Sequence, residues 1–339
     1  MKPKILLLSM GGTIFSIVEN NVVRTAHYIQ ELMNQVPRLH DIAELDFEVV
    51  VNLDSTNVGI DEWMLLHQRI TEKYDQYDGF VVAHGTNTMA YTASALAFSL
   101  GSTLNKPVVL TGSQLPLSVY GDDAHFNLEH SVRACCLAID QHICEVMVSF
   151  HDVVLRGCRT VKVSESNFAA FSSPAFPPLA QVTANGISFS GLVRKRQGGI
   201  FERRSPQFSS SIICIDIVPG LDPMLLTSLV ERGEIKGIVL KSHGAGSVPD
   251  QGRGSFLPFI ESMVKQDIVV IITTKFLGGN SSKMTNDEPA VRALEAGAIS
   301  SRDMTDVAAQ IKLMYLLGNG NNASQVRDRF TESFVGEVS

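Results

Sequence analysis

The stretch Phe80-Val-Val-Ala-His84-Gly85-Thr86-Asn87-Thr88-Met89 restricts the folds open to this chain more than any other. An apolar, β-branched run stops at small polar residues and passes straight into a helix-forming segment from Thr88 to Leu100. The pattern predicts a strand, a tight turn and a helix. A helix starting there leaves backbone N–H groups unpaired beside two Thr hydroxyls, an environment suited to an anion or a developing oxyanion. A second junction of the same kind joins Lys4-Ile-Leu-Leu-Leu-Ser-Met10 to Gly11-Gly12-Thr13-Ile14. Two strand ends, each followed by a Thr, suggest one shared pocket.

The alternation continues along the chain. Strands are expected at 4–9, 47–53, 79–83, 107–111 and 144–150, and helices at 27–34, 60–74, 88–100 and 126–140. This is the pattern of parallel strands with crossover helices, in which ligands bind beyond the carboxyl ends of the strands. The residues found there are Gly11-Gly12-Thr13, Asp54-Ser55-Thr56-Asn57, His84-Gly85-Thr86-Asn87-Thr88 and Thr111-Gly112-Ser113-Gln114. Each cluster alone would be an ordinary turn. Four in succession at one sheet edge favour a site over four separate turns.

Residues 191–211 mix Gly, Ser and charge without apolar periodicity and read as a linker between domains at 1–190 and 212–339. Beyond it, strands are expected at 212–217, 236–240 and 267–273, and helices at 222–231, 253–265, 288–297 and 303–317. The expected fold is α/β: a larger N-terminal doubly wound, mainly parallel sheet followed by a smaller C-terminal α/β domain.

A net charge of −7 without a substantial basic block speaks against a nucleic-acid partner. No apolar run approaches a membrane span. Five cysteines, an odd set without CxxC spacing, fit a reducing compartment, and the short run after Met1 reads as a first strand, so a cytoplasmic protein is expected.

Together, Gly11-Gly12-Thr13-Ile14, Asp54-Ser55-Thr56-Asn57, His84-Gly85-Thr86-Asn87-Thr88 and Lys162 resemble the bacterial L-asparaginases, and more closely their cytoplasmic type I branch. The likeness also takes in Thr111-Gly-Ser-Gln114, Phe126-Asn127 and Pro219-Gly-Leu-Asp-Pro223. It implies a cofactor-free, metal-free hydrolase of side-chain amides working through an acyl-Thr intermediate. By resemblance Thr13 is the nucleophile, Thr86 and Lys162 belong to a second triad, and Ser55 and Thr56 hold the substrate's α-carboxylate and amine. Gly12, Gly85, Asn87 and Ser113 complete the implied substrate site, and a homodimer or homotetramer would let Ser247 reach a partner's pocket.

Three departures stand against the likeness. Asn87 occupies the family's Asp position, where a carboxylate pairs with the α-ammonium of free asparagine. For a buried ammonium the loss is on the order of 2–5 kcal/mol, and Lys162 also loses a neighbouring anion that would raise its pKa. The loop Ile14–Arg24 lacks the family's lid Tyr, with Tyr28 a weak replacement on the expected helix, and Asn57 is a second Asn in place of Asp. The reading favours an amidohydrolase acting on an amide other than free L-asparagine: N-acylated, peptide or a biosynthetic intermediate. The alternatives are an ordinary, engineered or inactivated L-asparaginase, and an acyl transferase or cyclising enzyme on the same fold. The first triad's carboxylate is sought near Thr285-Asn-Asp287-Glu288, where a helix N-terminal charge pair would explain the acids equally well.

Overall fold

The computed structural model describes residues 2–19, 22–25, 36, 38–196, 198–230, 233–277 and 287–339. It divides into two compact units, Met1–Ser205 and Pro206–Ser339. The expected helix at 27–34, with Tyr28, lies outside the described residues.

In the first unit the strands are β1 (Lys4–Gly11), β2 (Ser16–Glu19), β3 (Val22–Thr25), β4 (Glu44–Leu53), β5 (Gly79–Ala83) and β6 (Val108–Thr111). They continue with β7 (Val146–Phe150), β8 (Val153–Arg156), β9 (Val161–Lys162), β10 (Phe171–Ser172), β11 (Ala180–Thr183) and β12 (Gly186–Phe189). Eight form one sheet in the order β12-β11-β8-β7-β6-β5-β1-β4. The pairings from β4 to β7 are parallel and those from β7 to β12 antiparallel. The sheet is therefore mixed, with an antiparallel edge that apolar periodicity did not reveal.

Strands β5, β6 and β7 are buried at every residue, as expected of strands covered on both faces. The helix Met89–Leu100 is buried at every position but Tyr91, because its Ala- and Ser-rich sequence lets it pack closely all round. The helix Ala124–Asp140 buries Leu128, Val132 and Cys135 in the core that also holds Ile5, Leu7, Val81 and Val109. Among the described residues the segment after Thr13 forms an antiparallel hairpin of β2 and β3. Phe15, just before it, is fully buried, with its ring edge-on to Phe47 at 5.9 Å.

The second unit is a parallel sheet of β13 (Ile212–Asp216), β14 (Gly237–Ser242), β15 (Val269–Thr274) and β16 (Ile299–Ser300). Alternate residues of β14 feed two cores: Ile238 and Leu240 pack with Phe256, Ile260 and Met263, while Val239 packs with Leu313 and Leu316. Helices thus cover both faces. The C-terminus is held by a fully buried pair in which Lys312 Nζ lies 2.6 Å from Glu337 Oε1. The same carboxylate accepts the N–H groups of Phe334 (3.0 Å) and Val335 (2.8 Å). Among the described residues no helix is long and apolar enough to cross a membrane.

Candidate active site

Strand β1 lies between β4 and β5, so the chain leaves β1 towards one edge of the sheet and leaves β5 towards the other. Such a reversal opens a crevice at the carboxyl ends of the two strands. Glycines let these ends meet. A Cβ on Gly12, whose φ is 83°, would lie 2.3 Å from the Gly85 nitrogen, and one on Gly112 would lie 2.3 Å from the His84 oxygen. Gly12 N–H is fixed by Leu53 O at 3.0 Å, which joins the end of β4 to the same cluster.

The crevice is a cleft of about 190 Å³ lined by Gly12, Thr13, Asp54, Ser55, Gly85, Thr86, Asn87, Gln114, Lys162 and Glu165. Its centre is Lys162, carried by β9, which pairs with β10 through Phe171. The Phe171 ring lies 4.8 Å from Phe150 at the end of β7, tying the short ribbon to the main sheet. Lys162 Nζ donates to Thr86 Oγ1 at 2.8 Å and to Asn87 Oδ1 at 2.9 Å. Partial burial lowers the lysine's pKa, and Glu165 opposes the shift. The ammonium is thus moved towards the neutral amine that can accept a hydroxyl proton.

Polar contacts continue on the other side of Asn87. Its Nδ2 donates to Thr56 Oγ1 at 3.3 Å, and Thr56 N–H donates to Asp54 Oδ1 at 2.8 Å. That N–H, reinforced by the Thr56 hydroxyl, holds the Asp54 carboxyl below its usual pKa. Thr88 Oγ1 donates to Ser55 O at 2.6 Å, fastening the start of the Met89–Leu100 helix to the turn after β4. Asn87 itself is exposed, and the 2–5 kcal/mol expected for a buried partner shrinks to about 1 kcal/mol in a wet setting.

Beneath the cleft, His84 is fully buried and its pKa is pushed down to about 4 by desolvation. Its Nδ1 faces Gly85 O at 2.8 Å, and a carbonyl only accepts, so Nδ1 carries the proton. Nε2 then accepts from Thr92 Oγ1 at 2.9 Å, and that hydroxyl receives Trp63 Nε1–H at 3.1 Å. This chain fixes the peptide that leads into Thr86.

Thr13, Thr86, Lys162, Gly12, Ser55, Gly85 and Asn87 thus come together, and Thr56 touches the group through Asn87. Ser113 and Ser247 are not among the lining residues. Ser113 is buried and its Oγ makes no hydrogen bond among the described residues. Ser247 lies in the second unit, where its hydroxyl donates to Asp287 Oδ2. Asp54 and Gln114 belonged to the strand-end clusters but not to the implied site, and Glu165 was visible only as a neighbour of Lys162. Asp123 shapes the Gln114 turn by accepting the N–H groups of Gln114 and Leu115 at 3.0 and 2.9 Å. No three His, Cys, Asp or Glu side chains gather as metal ligands among the described residues.

A lysine hydrogen-bonded to a threonine hydroxyl, at the strand-end crevice of a mixed α/β sheet, is an arrangement suited to an enzyme that activates a hydroxyl. The family model "Asparaginase, N-terminal" matches residues 4–193, and "Glutaminase/Asparaginase C-terminal domain" matches residues 211–330. The chain is 33% identical to an L-asparaginase of Thermococcus kodakarensis, the match covering 99% of each. It is 32% identical to L-asparaginase 1 of Escherichia coli K12 over 100% of this chain and 98% of that protein. The crystal structure of L-asparaginase I from Vibrio cholerae superposes with a TM-score of 0.87 at 29% identity, covering 100% of both chains. The chain belongs to the asparaginase family, whose members are amidohydrolases.

Proposed function

We propose that this amidohydrolase cleaves a side-chain or related amide through an acyl-Thr intermediate, on a substrate whose α-nitrogen carries no charge. N-acylated, peptide or biosynthetic-intermediate amides fit that description, and free L-asparagine does not. The observation that carries the reading is the double hydrogen bond from Lys162 Nζ to Thr86 Oγ1 and Asn87 Oδ1, at 2.8 and 2.9 Å. It joins a base, a hydroxyl and a neutral amide at the point where an α-ammonium would need a carboxylate.

In this mechanism Thr13 Oγ1 attacks the amide carbon, and Lys162 with Thr86 accepts and relays the hydroxyl proton. The proton goes to the departing nitrogen, which leaves as ammonia, and water then releases the acid from Thr13. Backbone N–H groups of the residues that follow Gly12 and Gly85 receive the oxyanion, Gly12 N–H itself being held by Leu53 O.

We further infer a cytoplasmic homo-oligomer, dimer or tetramer. Exposed Val218, Met224, Leu225, Phe276 and Leu277, on the segments after β13 and β15, supply apolar surface for assembly. Light scattering reads the mass directly.

Ammonia release from N-acetyl-L-asparagine and from free L-asparagine tests the substrate claim. Faster turnover of the acetylated compound is expected, and faster turnover of the free amino acid overturns it.

A further inference from the structure

We infer that Glu165 determines specificity, its carboxylate receiving a cationic group that the substrate carries beyond its α-nitrogen. The inference rests on the amidohydrolase reading of the cleft and names the class of substrate within it: amides whose α-nitrogen is acylated by a group bearing an ammonium.

Among the described residues three charged ones line the cleft: Asp54, Lys162 and Glu165. These described walls carry two anions against at most one cation, so they are net negative even though Asn87 is neutral. The two other charges are committed. Lys162 donates to Thr86 and Asn87, and Asp54 Oδ1 accepts Thr56 N–H. Glu165 makes no hydrogen bond or ion pair among the described residues, and its carboxylate is exposed.

The loop that carries Glu165 is nevertheless held at the cleft wall. Its loop closes through Val163 N–H to Ala170 O at 2.8 Å. Ser164 Oγ accepts from Asn167 N–H at 3.0 Å, and Gln114 Nε2, from another wall of the cleft, donates to Asn167 O at 3.0 Å. A carboxylate on a fixed loop at a binding cleft, near Lys162 but hydrogen-bonded to no described residue, is positioned to serve a ligand. A substrate cation at Asn87 meets an amide, whereas one carried farther along the acyl group meets Glu165.

Glycyl-L-asparagine and N-acetyl-L-asparagine share an acylated α-nitrogen and the same side-chain amide, and differ by one ammonium. Initial rates of ammonia release by the full-length enzyme should give a KM about fivefold lower for the glycyl compound, the scale of an exposed charge pair. E165Q should bring the two KM values together, and E165K should reverse their order, with an unchanged thermal midpoint reporting intact folding. The inference falls if the wild-type enzyme treats the two substrates alike. It also falls if E165Q changes both equally, because Glu165 then acts only through Lys162. Ammonia release from neither substrate, nor from a wider set of acylated amides, would remove the amidohydrolase reading itself and this inference with it. Turnover of the acetyl compound without charge discrimination removes the inference alone.

Discussion

Lys162 Nζ donates to the side-chain oxygen of Asn87 at 2.9 Å, a contact in which one partner is an ionisable amine and the other an uncharged amide. An aspartate there would stabilise the ammonium. The asparagine leaves desolvation as the larger influence on Lys162, and its pKa falls. With Lys162 as the proposed base, kcat should rise with pH through this lowered pKa. Asn87→Asp restores an anion, raises the pKa and moves the rising limb to higher pH. A pH–rate profile of both enzymes reads the shift.

Removing the base tests the chemistry. Lys162→Met should lower kcat by roughly 10²–10⁴-fold, the usual contribution of a positioned acid or base. The lysine is only part-buried, so the urea midpoint should hardly move. Thr13→Val should lower kcat as severely, and peptide mass spectrometry of an enzyme quenched with a slow ester substrate should find the acyl group on Thr13.

The sheet's central strands were legible because strands buried on both faces are written as unbroken apolar runs, as in Val108–Thr111. The antiparallel edge was not. Strands β7 and β8 are joined by His151-Asp152, with His151 at a left-handed φ of 52° that would ordinarily suggest Gly or Asn. Strand β11 shows only four residues of alternating burial. The strand-end rule brought the clusters after β1, β4 and β5 together. No local spacing could connect Lys162 to Thr86 or single out Glu165, because those contacts depend on the β9–β10 ribbon.

His84 makes stability depend on pH. Its folded pKa of about 4 lies below the unfolded value of 6.5, so the unfolded chain binds the proton first as pH falls. Stability is fully present above pH 6.5 and is lost on descending towards pH 4, by about 2 kcal/mol at pH 5. His67, lowered by burial, adds to the loss in the same direction. Urea unfolding at pH 7 and pH 5 measures this, and His84→Asn should flatten the dependence.

The buried Lys312–Glu337 pair gives a prediction independent of the site. Lys312→Met strands a fully buried carboxylate and should cost about 3–5 kcal/mol. Lys312→Met with Glu337→Gln should recover part of it, because no buried charge remains unpaired. Chemical denaturation of the single and double variants gives both values.

The most direct test of the central claim is the ratio of kcat/KM for N-acetyl-L-asparagine to that for L-asparagine, measured in the wild-type enzyme and in Asn87→Asp. The account predicts a ratio above one that falls about fivefold when the carboxylate is introduced, since Asn87 is exposed and a charge there acts through water. A wild-type ratio below one, or a ratio that Asn87→Asp leaves unchanged, would contradict it.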